Sequence, residues 1–177
     1  MFRKGLVIFA ALCLGGGAFA GYAYSTSRDE APANHDFVAK GTVDKAYTIQ
    51  ASSAPQTITS TSFTELTLDT IQVPARGQFR VLVRFSAESH CAATSFCSAR
   101  IGVDHVEANP KVGTDFAFDS PGGEAFKSLS MDRTSDIITG TGSVRNADVT
   151  VDVAVVGGGS WRLDDWTVTA ELIRATA

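Results

Sequence analysis

The stretch "QFRVLVRFSAESHCAATSFCSARIGVD", residues 78–104, decides how the chain is built. Phe79, Val81, Val83, Phe85 and Ala87 alternate with Arg80, Arg84 and Ser86, and Cys97, Ala99, Ile101 and Val103 keep the same period further on. Alternation with a period of two puts one apolar face against a core and one polar face toward water, which is the mark of a half-buried strand. The two runs therefore predict two strands, and the expected arrangement is a hairpin with Cys91 opposite Cys97. That register sets Phe85 against Val103 and Ala87 against Ile101 on the dry face. On the wet face it sets Glu88 against Arg100 and Arg84 against Asp104, so opposite charges meet. A slip of one residue would turn every apolar side chain to the wrong face.

Opposed residues of antiparallel strands have Cα atoms about 4.5–5.5 Å apart, within reach of a disulfide. Cys91 and Cys97 are therefore expected to be bonded, with about 2 kcal/mol of stabilisation from so short a loop. Two other readings compete. A metal site would use His90, Cys91, Cys97 and His105, but this lacks the Cys-x-x-Cys spacing of structural zinc, and His90 has the opposite parity to the cysteines. A redox pair would favour Cys-x-x-Cys at a helix start.

Outward from this stretch the same texture continues. "FTELTLDTIQV" (63–73) is β-branched and stops at "PARG". "TDFAFDS" (114–120) and "KSLSMDRT" (127–134) are expected as shorter strands around a Pro-Gly-Gly turn at 121–123, "SDIITGTGSV" (135–144) is ambiguous, and "ADVTVDVAVV" (147–156) alternates valines. Gly157–Gly159 reads as a hairpin loop. The closing "WRLDDWTVTAELIRA" (161–175) changes phase: Trp161 and Leu163 share one parity, Trp166, Val168 and Leu172 the other. A bulge at "LDD" would reconcile them, because one extra residue flips the facing side. No stretch carries a 3.6-residue apolar stripe. The expected fold is all-β, an antiparallel β-sandwich of jelly-roll type with about eight strands.

The sandwich is expected over 59–175. Residues 1–20 read as a signal peptide, with Arg3 and Lys4 ahead of the apolar "GLVIFAALCLGGG" and cleavage after Ala20. Cys13 leaves with that segment, so the mature chain holds an even pair of cysteines, as an oxidising compartment allows. A secreted, periplasmic or cell-surface location follows, with contact to a membrane only through the uncleaved leader. Residues 21–58 read as a flexible spacer with a short strand at 46–52, and the Ser/Thr-rich 52–62 resembles a linker. The 177-residue chain has a formal charge of −4, more negative still once Arg3 and Lys4 are removed. With no basic stripe, it is a poor partner for nucleic acid or anionic lipid.

Candidate chemistry is sparse. Asp115, Asp119, Asp164 and Asp165 are the residues that would offer oxygen ligands to calcium, without an EF-hand loop; the competing reading is solvated turn carboxylates. There is no Gly-x-Ser-x-Gly elbow, His-Glu-x-x-His or phosphate loop, so no catalytic residue, cofactor or metal is implied. Trp161, Trp166 and Phe126 are the aromatics that would stack on a sugar. Trp166 runs with the core, and Trp161, after the glycine run, is the candidate ligand contact.

The blocks "RVLVRFSAESHCAATSFCSARIGVD", "DFAFDS", "SLSMDRT" and "WRLDDWTVTAEL" resemble a group of uncharacterised exported bacterial β-sandwich proteins, over about 63–174. That resemblance implies a sandwich and a hairpin disulfide, and no activity. "IQVPARGQFRVLVRF" is more distantly similar to the strand–Pro–Gly–strand opening of C1q/TNF-like jelly rolls, which trimerise; self-association is thereby left open. The functional expectation is an exported, non-enzymatic binding or interaction module for a protein or glycan ligand. Two alternatives stand beside it: a carbohydrate-binding module using exposed aromatics, and a hydrolase with an unrecognised carboxylate site.

Overall fold

The computed structural model describes residues 41–175 apart from 114 and 124; the expected leader and most of the expected spacer lie outside them. Ten strands run in chain order: β1 (Gly41–Ser52), β2 (Gln56–Ile58), β3 (Thr64–Val73), β4 (Gln78–Ala93), β5 (Phe96–Val103), β6 (Val106–Glu107), β7 (Lys127–Thr134), β8 (Ile138–Thr139), β9 (Arg145–Val156) and β10 (Gly159–Ala175). One sheet has the order β1-β10-β4-β7, with β2 also on β10 and β8 also on β4; the other has the order β3-β9-β5-β6. All pairings are antiparallel. With β2 and β8 read as continuations of their edges, eight principal strands cross between sheets in jelly-roll order, as expected.

The core lies where the alternation points. Phe79, Val81, Val83 and Phe85 of β4, Val149, Val151 and Val155 of β9, and Val168 and Leu172 of β10 are wholly buried. Each such side chain stabilises the fold by about 1.5–3 kcal/mol relative to exposure. The phase change in the last strand is resolved as the sequence requires. The β4–β10 register shifts between Asp164 and Thr167, and Asp165 takes a left-handed φ of 42°. Trp161, Leu163, Trp166, Val168 and Leu172 thereby all face inward.

Four expectations are corrected. First, β4 and β5 do not form a hairpin: they lie in different sheets, and the two residues Thr94 and Ser95 arch between them. The wet-face partners change accordingly. Arg84 pairs with Asp132 of β7 in a two-bond contact of 2.7 and 3.0 Å, and Arg100 with Asp152 of β9 at 2.9 Å. Asp104 is instead held by both terminal nitrogens of Arg145, at 2.8 and 2.7 Å. Each arginine meets an aspartate on the neighbouring strand of its own sheet or at a strand end.

Second, the domain does not begin at 59. β1 runs against β10 from Gly41 opposite Ala175 to Ser52 opposite Trp166, and β2 pairs with Trp161–Leu163. The short strand expected at 46–52 is part of a longer one. Third, "TDFAFDS" forms no strand; it contributes only a bridge between Cys97 and Asp119. Fourth, Gly157–Gly159 is not a hairpin loop, because β9 and β10 belong to different sheets.

The disulfide is present. Cys91 and Cys97 have an S–S distance of 2.06 Å and a Cα–Cα distance of 5.9 Å. Face-to-face sheets stand about 10 Å apart, so the bond marks an end where the two sheets converge. The β9–β10 arch packs on the β4–β5 arch there: the Thr94 amide donates to the Gly158 carbonyl, and the Thr94 hydroxyl to that of Gly157. A Cβ on Gly157 would lie 2.5 Å from the Thr94 hydroxyl oxygen, and one on Gly159 would collide with the Ala92 carbonyl. The glycine run exists for close approach of two backbones.

Candidate functional site

Two groups of side chains gather at this closed end, one inside the sandwich and one on its outer face. The inner group starts from Ser89, an inward position on β4 that is wholly buried. A hydroxyl there needs partners, since burying it alone costs about 1–3 kcal/mol. The Trp161 indole N–H donates to Ser89 Oγ at 2.8 Å, and Ser89 Oγ donates to Asp119 Oδ2 at 2.7 Å. Asp119 Oδ1 accepts from the Ser120 amide and from Lys127 Nζ, each at 2.8 Å. Lys127 also donates to the Ser120 carbonyl. Backbone bonds in both directions between Cys97 and the Phe118–Asp119 segment hold that carboxylate in place. Phe118 completes the packing, with its ring 5.1 Å from Phe85 and 5.7 Å from Trp161.

The relay looks like a serine, carboxylate and lysine constellation, but its geometry is that of a brace. The Ser89 proton is committed to Asp119 and a lone pair to Trp161, away from solvent. The group ties β4, β7, β10 and the 118–120 segment together beneath the disulfide.

The outer group lies on the reverse face of the same strands. Arg162 of β10 sits opposite His90 of β4 on one side and Thr57 of β2 on the other. Phe126, just ahead of β7, is 39 % exposed. Its ring lies 5.7 Å from that of His90 and 5.5 Å from the Arg162 guanidinium. Along the same face Asp164 sits opposite Glu88, and Asp164 approaches Arg162 at 3.8 Å.

The structure separates most of the sequence candidates. Trp161 is wholly buried, so its expected exposure as a ligand contact is corrected: the residue after the glycine arch points into the core and spends its N–H on Ser89. Trp166 is buried as expected, at 4 % exposure. Phe126 remains on the surface. The four aspartates are not brought together. Asp119 is taken by Ser89 and Lys127, while Asp164 faces Arg162 and accepts from the Asp165 amide. Among the described residues no group of three or more His, Cys, Asp or Glu side chains is placed to hold a metal ion. His90 faces away from the disulfide, and His105 lies 3.2 Å from Asp148.

Some notable residues escaped the sequence reading. Ser89 had a signal: a hydroxyl at an inward position of an apolar strand. Arg133 has inward parity on β7 and is only 8 % exposed. It donates to the Asp132 carbonyl and lies 4.6 Å over the Phe116 ring. Burial pushes its guanidinium below the ordinary arginine value, against the opposing pull of Glu107 and Asp132. A shallow open groove between β2 and β3, about 270 Å³ and lined by Gln56, Ile58, Ser60, Glu65 and Val153 among others, offers one carboxylate.

What the fold defines is a jelly-roll β-sandwich closed by a disulfide. No protein-family model matches the chain, and no curated protein does. Among solved structures, dimeric latent PorU from Porphyromonas gingivalis is similar at 10 % identity and a TM-score of 0.34, over 75 % of this chain and 14 % of that one. So slight a likeness carries no argument.

Proposed function

We propose that the protein is an exported, non-enzymatic β-sandwich that acts by binding another molecule on its outer surface. The observation that carries this reading is the filled interior: side chains from both sheets meet in the core, so ligands are met on the faces, edges and arches. The buried relay is committed to bracing, and the groove between β2 and β3 has a single carboxylate where a glycoside hydrolase would need a pair. Export is supported by the leader-like residues 1–20 and by a cysteine pair at bonding distance, a bond that persists in oxidising compartments.

Two measurements on the protein purified from its own cells test the reading. Non-reducing peptide mapping should recover Cys91 and Cys97 as one linked peptide and a mature chain starting after Ala20; free thiols on an uncleaved chain would overturn export. Cross-linking on intact cells should yield a specific adduct with an envelope or extracellular molecule. Turnover on a panel of glycosidic and ester substrates would remove the non-enzymatic reading.

A further inference from the structure

The outer face at the closed end sets one exposed aromatic ring among hydrogen-bonding groups of both signs. We propose that this surface binds a neutral glycan chain, with Phe126 as the stacking platform and Arg162, His90, Glu88 and Asp164 contacting its hydroxyls. The proposal rests on the binding-module reading above and names the ligand for it.

Three features point to that ligand. The ring is held ready: His90 and Arg162 both lie against it while 39 % of the residue stays exposed. A pyranose offers a C–H face to an aromatic ring and hydroxyls around its rim. The surroundings have mixed sign, with Arg162 beside His90 and, along the same face, Asp164 beside Glu88. Hydroxyls both donate and accept, so they use cations and carboxylates alike. A polyanion would meet Glu88 and Asp164, a polycation would meet Arg162, and an apolar ligand would strip water from all of them without replacing it. Finally, the surface is a sheet face with strands about 4.8 Å apart, so the outward side chains of β10, β4 and β7 stand in rows that an extended chain can follow. Ser128, opposite Glu88, continues the row with a hydroxyl.

The test is calorimetric titration of the full mature chain with cellohexaose, laminarihexaose, chitohexaose and mannohexaose, and with an oligogalacturonate as the charged comparison. At least one neutral hexasaccharide should bind. Phe126→Ala should weaken it about tenfold or more, the loss typical of an anchoring aromatic, with an unchanged melting temperature. Phe126→Trp should keep the binding. No binding at millimolar concentration, equal binding by Phe126→Ala, or tighter binding of the oligogalacturonate than of every neutral chain would overturn the inference. If the glycans fail while the cell-surface adduct persists, the glycan site falls and the binding module stands.

Discussion

Ser89 satisfies two buried neighbours at once, accepting from Trp161 and donating to Asp119. Ser89→Ala would leave the indole N–H and one carboxylate oxygen short of a partner, so a loss of about 2–4 kcal/mol is expected in urea unfolding. An effect within a few tenths would show that the relay does not brace the fold. The β5–β6 turn makes the opposite case. Asp104 and His105 take left-handed φ angles of 54° and 65°, a geometry that two-residue hairpins usually give to Asn and Gly. Asp104 is held there by Arg145, whereas the His105 side chain is 82 % exposed. His105→Gly should therefore stabilise by up to about 1 kcal/mol, seen as a higher urea midpoint with an unchanged slope. At this scale the sequence was legible only in part. Parity placed Trp166 in the core and His90 outside it, and with the bulge at "LDD" it also turned Trp161 inward beside Leu163; the exposure of Trp161 was misjudged because its place after the glycine run was weighed above that parity.

Among the elements, the long strands from Thr64 onward and the bulge in β10 were legible and the partnership of β4 with β5 was not. Alternation states which face of a strand is dry; it is silent on whether a dry face is shared with a neighbour in the same sheet or pressed against one across the core. Both arrangements put Cys91 near Cys97, and both find carboxylates for Arg84 and Arg100. The turn of the expected hairpin, residues 92–96, carries a hint: "AATSF" has neither the Asn nor the Gly that tight hairpins favour. The disulfide thus joins two sheets, and its removal tests the closed end directly. The Cys91→Ala, Cys97→Ala double variant should remain folded on its large core and lose about 2 kcal/mol, as so short a closed loop implies. Loss of the folded state altogether would mean that the core does not carry the domain. The strands at 41–58 were hidden for another reason. β1 is an edge strand whose residues are largely exposed, so it lacks the apolar alternation by which a buried strand announces itself.

For the whole molecule, acid should be the effective denaturant. Hydrogen bonds from Arg145 hold Asp104 below the ordinary carboxylate range, and those from Arg84 do the same for Asp132. A carboxylate with a lowered folded pKa stabilises above its unfolded value, near about 4, and loses that contribution as pH falls through the folded one. The urea midpoint should therefore stay level from neutral pH down to about 5 and decline below about 4, and an Arg84→Ala, Arg145→Ala variant should show a shallower decline. The pairing of Gly41 with Ala175 has a mechanical consequence. The two ends of the described domain leave side by side from adjacent antiparallel strands. A force pulling them apart would load the β1–β10 ladder one rung at a time, as a zipper is opened. The domain should yield at this seam under modest tension while the disulfide-closed end stays intact, so that β1 acts as a peelable flap on the rest of the sandwich.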